Sequence, residues 1–199
     1  MRKYLFCFAA LFITVLLHAQ RTIIYCGKMV DVKNVSMLTE MSIVVDSGKI
    51  TDVEKGYITA NNNDKVIDLK DKTVMPGLID CHVHLEDQIS PTSIIDGFRL
   101  NPADYAFRSI GYADSTLMAG FTTVRDCGGS GVNISLRNAI NNGLVIGPRV
   151  YTAGKFIAST GGHADPTTGL NDEFRGDPGV TEGVANGVDD CIKAVRRRY

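Results

Sequence analysis

Met75-Pro76-Gly77-Leu78-Ile79-Asp80-Cys81-His82-Val83-His84-Leu85 is the stretch on which the fold turns. Its apolar content and brevity predict a buried strand, yet polar residues interrupt it at every second position. Side chains alternate faces along a strand, so Leu78, Asp80, His82 and His84 are expected on one side. Ile79, Cys81, Val83 and Leu85 then share an apolar side that can pack under helices. Histidines at i and i+2 have Cα atoms about 6.6 Å apart, close enough for both rings to reach one cation at about 2.0–2.1 Å. The competing reading is a pair of half-buried, hydrogen-bonded histidines, because the bare His-x-His triplet also arises by chance.

Outward from this strand, the chain is expected to alternate strand and helix. A polar loop is read over 86–99. Asn101-Pro102-Ala103-Asp104 then starts a helix, with Asn101 as cap, Pro102 at the first position and an acid in the first turn. Ala106, Ile110, Ala113 and Leu117 form one apolar stripe, and Gly120 ends the helix. Phe121 to Asp126 reads as the second strand, closed by Cys127-Gly128-Gly129. A shorter helix is expected from about Ile134 to Asn142, and a third strand from Arg149 to Ala153. The segment 155–177 is long, Gly-rich and polar. Asp177-Pro178 is read as the start of a third helix, with Val180, Val184, Val188, Ile192 and Val195 on one side. This alternation predicts parallel βαβ units.

Pro76-Gly77-Leu78-Ile79-Asp80-Cys81-His82-Val83-His84 resembles the first barrel strand of the amidohydrolase superfamily, metal-dependent hydrolases built on a (β/α)8 barrel. Thr122 to Gly129 and the Gly161-Gly162-His163-Ala164-Asp165 loop are similar to later segments of the same superfamily, in its imidazolonepropionase-like and Xaa-Pro-dipeptidase-like branch. The resemblance implies an α/β fold: the first three βα units of an incomplete TIM-type barrel (75–199), preceded by part of a small β-sandwich (20–74). It implies a divalent metal, zinc foremost, as one or two ions, with His82 and His84 as ligands. Sites in such barrels lie at the C-terminal strand ends, which is where His82, His84, Asp126 and His163 all fall. Asp80, on the same face but deeper, is read as a supporting group. His163 either contacts substrate or fixes a glycine loop, and is taken forward as the substrate-binding candidate. Arg125 and Asp126 read as a structural hydrogen-bonding unit. The remaining ligands of the family, and the aspartate that handles the proton of the water, come from later strands, and nothing here matches them. The implied activity is hydrolysis of a C–N bond in a small amide, dipeptide or cyclic amide. Ring deamination, N-acetyl hydrolysis or a non-catalytic exported remnant are the alternatives. The chain by itself is expected to be inactive.

The region ahead of the motif is strand-rich. Thr22 to Asp31, Ser42 to Asp46, Ile50 to Val53 and Lys65 to Leu69 are read as strands, with a hairpin turn at Asp46-Ser47-Gly48-Lys49 and a second turn at Lys70-Asp71-Lys72. Met1-Arg2-Lys3 followed by an apolar run to Leu17 fits a secretory leader cut after Ala19, and the run is short for a membrane span. Export to the periplasm or beyond is therefore expected, with no stable membrane anchor. Of the 5 cysteines, Cys26, Cys81, Cys127 and Cys191 follow that cut and are too scattered for a disulfide scaffold. Cys81 and Cys127 are read as small buried hydrophobes. A net charge of −1 over 199 residues argues against nucleic acid as a partner. The oligomeric state is not legible.

Overall fold

The computed structural model describes residues 20–198. The leader expected over 1–19 lies outside the described residues. The chain divides into two compact units, Met1–Pro76 and Gly77–Tyr199.

In the first unit, strands β1 (Thr22–Asp31), β2 (Ser36–Asp46), β3 (Lys49–Lys55) and β4 (Lys65–Val74) form one sheet in the order β3-β2-β1-β4. Ser47 and Gly48 both take positive φ, 51° and 74°, so the Asp46↔Lys49 pair closes a tight two-residue hairpin whose twist matches its strands. Cys26, Met41 and Ile43 form its buried core. Arg21 grips Asp64 through two hydrogen bonds of 3.0 and 2.6 Å. The turn expected at Lys70-Asp71-Lys72 is absent, and β4 runs on to Val74. This is an edge strand parallel to β1 whose register slips between Leu69 and Thr73, so Lys70, Asp71 and Lys72 bulge out of the ladder without ending the strand, as bulges at sheet edges do.

The second unit holds the parallel sheet β5-β6-β7, made of β5 (Leu78–Val83), β6 (Phe121–Asp126) and β7 (Arg149–Thr152). Helices α1 (Ser93–Arg99) and α2 (Pro102–Met118) join β5 to β6, and α3 (Val132–Asn141) joins β6 to β7. These are successive βαβ units of a TIM-type barrel that does not close among the described residues. The α2 start has both arms of a capping box between Asn101 and Asp104, with Pro102 at the first position. Leu85, Ala113, Val124, Leu136 and Val150 form the core between sheet and helices.

The structure departs from the sequence expectations in three places here. The polar loop over 86–99 contains α1; its Ile94, Ile95 and Phe98 are exposed, and seven residues are too few to set a helical period. The apolar face of β5 reaches the core only at its C-terminal end: Leu85 is buried, whereas Ile79 is 65 % exposed and Cys81 is exposed. The reason is that β5 lies at the sheet edge, with α2 over β6 and α3 over β7. The third helix is not continuous. After α4 (Asp172–Arg175), α5 (Gly179–Glu182) stops at Gly183 and α6 (Gly187–Arg198) begins four residues later. Gly183 has φ 101°, and a Cβ there would lie 2.2 Å from the Phe156 carbonyl oxygen, so the chain must turn here. Val184 instead forms a parallel bridge with Ala158 and is buried, while Val188 and Val195 of the expected stripe are exposed.

Candidate functional site

The site lies at the C-terminal ends of β5 and β6. Asp80 accepts the backbone N–H of His82 at 2.9 Å. Asp80 pairs with Val124 and Val83 with Asp126, so three steps along β5 match two along β6; the extra residue is a bulge, which re-aims side chains at a strand end. The His82 and His84 rings meet edge to face, with centroids 5.3 Å apart. His84 Nδ1 lies 2.9 Å from the Gly128 carbonyl oxygen. A carbonyl only accepts, so Nδ1 carries the proton and Nε2 keeps its lone pair in the neutral ring.

The loop after β6 holds this end of β5 in place. Asp126 is fully buried and accepts N–H groups from Leu85 at 2.9 Å and Gly128 at 3.0 Å, and the Asn133 side-chain amide at 2.8 Å. Glu86 is buried too. Its carboxylate takes the N–H groups of Ser130 at 2.7 Å and Asn133 at 2.5 Å, capping the start of α3. A Cβ on Gly129 would lie 2.6 Å from the Glu86 carboxyl carbon, so the second glycine of the pair makes room for that carboxylate. Arg125 forms no hydrogen bond with Asp126 among the described residues, which leaves Asn133 as the aspartate's side-chain partner.

A cleft of about 590 Å³ opens beside His84, lined also by Tyr105, Phe156, His163 and Asp165. The Phe156 ring packs 5.5 Å from that of His84. Burial, then the nearby carboxylates of Asp87 and Asp96, push the Tyr105 phenol up, so it stays a hydrogen-bond donor near neutral pH. Asp165 accepts from Gly161 N–H at 2.7 Å and from the Thr167 N–H and hydroxyl, both at 2.8 Å. Those bonds, Gly161 first, hold its carboxyl below the usual range and shape the loop that carries His163.

The structure thus places His82 and His84 side by side, puts Asp80 on the backbone of His82, and brings His163 to the same cleft but not to the imidazole pair. Among the described residues no group of three or more His, Cys, Asp or Glu is arranged to hold a metal. Two neutral imidazoles suit a borderline-soft dication such as zinc, and they amount to two donors of the three that a catalytic site takes from protein. Glu86, Asn133, Tyr105 and Phe156 were not singled out from sequence. An acid two residues after the last histidine is a signal for Glu86 only once it is known what faces it.

A sequence profile of the amidohydrolase family matches residues 73–199. The chain belongs to that family. Among solved structures, this amidohydrolase is similar to a Xaa-Pro dipeptidase with methionine in its active site (TM-score 0.82, 42 % identity, 90 % of this chain and 44 % of that one). It is also similar to a prolidase complexed with N-methylphosphonate-L-proline (TM-score 0.76, 31 % identity, 90 % and 44 %). Ochratoxinase from Aspergillus niger is 28 % identical over 195 residues, covering 89 % of this chain and 39 % of the relative. The amidohydrolase chain therefore spans about two-fifths of the length of these relatives.

Proposed function

We propose that the whole protein hydrolyses the C–N bond of a small amide, a dipeptide or cyclic amide, with the help of a divalent cation held in part by His82 and His84. The observation that carries this reading is the imidazole pair itself: adjacent rings, with the His84 tautomer set so that Nε2 is free to donate. When bound, the cation supplies Lewis-acid polarisation of the scissile carbonyl and acidifies a water. The residues of this chain hold and orient. Asp80 and Asp126 anchor the backbone on either side of the two histidines. Tyr105 offers a protonated phenol, Phe156 an apolar wall, and His163 a polar group for the substrate's far end. The names of the dipeptidase, prolidase and ochratoxinase relatives support an amide substrate.

The test is His82→Ala in the protein at its full natural length, assayed for metal content and for hydrolysis of Xaa-Pro dipeptides. Loss of the ion and of turnover is expected; retained metal with an unchanged rate rejects the reading. Residues 20–199 produced alone should be inert, since two imidazoles make an incomplete ligand set. Export after cleavage at Ala19 belongs to the same proposal, and N-terminal sequencing of the mature protein from cell fractions checks it.

A further inference from the structure

The buried carboxylate of Asp126 has no role in the reading above beyond anchoring backbone, yet its bonds converge on one imidazole. Oδ2 accepts the N–H of Leu85, the residue directly after His84. Oδ1 accepts the N–H of Gly128, the residue whose carbonyl takes the proton of His84 Nδ1. One carboxylate therefore fixes both the backbone that carries the ring and the acceptor that orients it. Asn133 locks the carboxylate in turn: its amide N–H2 donates to Asp126 Oδ1 at 2.8 Å and to the Gly154 carbonyl at 3.0 Å. Both partners are acceptors, so the amide cannot turn over without setting oxygen against oxygen. It holds this pose although its own Oδ1 is buried without a partner.

We infer that Asp126 is a positioning residue that sets the Nδ1–H tautomer and the orientation of His84 through Gly128. It touches no substrate and no cation. Asparagine is no substitute, because it has one acceptor oxygen. Its N–H2 would face either the Leu85 N–H or the Gly128 N–H together with the Asn133 amide, donor against donor. The Gly128 carbonyl would shift, and the ring would lose the bond that selects its tautomer. The inference rests on the metal reading only for its second readout.

The experiment uses the full-length protein labelled with 15N at histidine, held about 1.5 pH units above the ordinary imidazole pKa of about 6.5. Ring 15N shifts report the tautomer of His84, assigned by its loss in His84→Ala; zinc titration reports affinity. The wild type should show Nδ1–H. Asp126→Asn should show mixed tautomers and a zinc affinity lowered roughly 10- to 100-fold. Leu136→Ala, which loosens the core shared with Leu85 but makes none of the Asp126 hydrogen bonds, should lower the melting temperature while leaving the tautomer unchanged and zinc affinity within about threefold. A wild-type Nε2–H tautomer overturns the inference. So does an unchanged tautomer in Asp126→Asn, or an equal tautomer change in Leu136→Ala. If Asp126→Asn does not accumulate, Asn133→Leu takes its place, and an unchanged tautomer there counts against the inference equally. Zinc binding that survives both His82→Ala and His84→Ala sinks the metal reading alone, because the tautomer still judges Asp126.

Discussion

Four buried or half-buried carboxylates, Asp80, Glu86, Asp126 and Asp165, each accept backbone N–H groups and do most of the local shaping around the histidines. Glu86 is the one that stabilises an element directly, by covering donors at the start of α3. Glu86→Ala strands two N–H groups and should cost about 1–3 kcal/mol, read as a shift in urea midpoint. Gly129→Ala should cost a similar amount for the opposite reason, since its Cβ meets the same carboxylate. For Asp165 the consequence is a pH dependence. Its folded-state pKa is depressed, chiefly by the Gly161 N–H and then by Thr167. The stabilisation is thus complete above the unfolded value of about 3.9 and is lost as pH falls through the lower folded value. Amide exchange protection at Gly161 and Thr167 should therefore hold down to about pH 4 and fall as the pH is lowered further. In Asp165→Asn that protection should already be low at neutral pH and fall no further.

At the scale of elements, the capping box of α2 and the apolar stripe it starts were legible because both signals are local. Ser109 and Ala113 face the core while Asp104 caps from outside, and Leu136 does the same for α3. Leu136→Ala should cost about 2–5 kcal/mol in thermal or chemical unfolding. The region after α5 shows the limit of periodicity. Val180, Val184, Val188, Ile192 and Val195 keep a helical spacing, but the stripe cannot register that Phe156 lies against Gly183. Gly183→Ala should not fuse α5 with α6. It should instead destabilise the unit by more than about 1 kcal/mol, through positive φ and the clash together, and helical signal in circular dichroism should not rise.

At the scale of the whole molecule, each unit presents open sheet edges and exposed apolar side chains, among them Leu78 and Ile79 on β5. Residues 20–199 alone should therefore aggregate at low micromolar concentration, measurable by light scattering, and Leu78→Lys with Ile79→Lys should reduce it. The imidazole pair, the parallel βαβ order and the placement of polar groups at strand ends followed from the sequence alone, because alternation along a strand and caps on a helix are properties of neighbouring residues. Only tertiary structure decided that Cys81 is exposed, that the valine stripe is broken at Gly183, that Asp126 reaches from β6 to the backbone beside His84, and that Glu86 reaches from the loop after β5 to the start of α3. Those outcomes depend on which backbone donors and which covering helix arrive from residues some forty positions away, and no local pattern encodes that arrival.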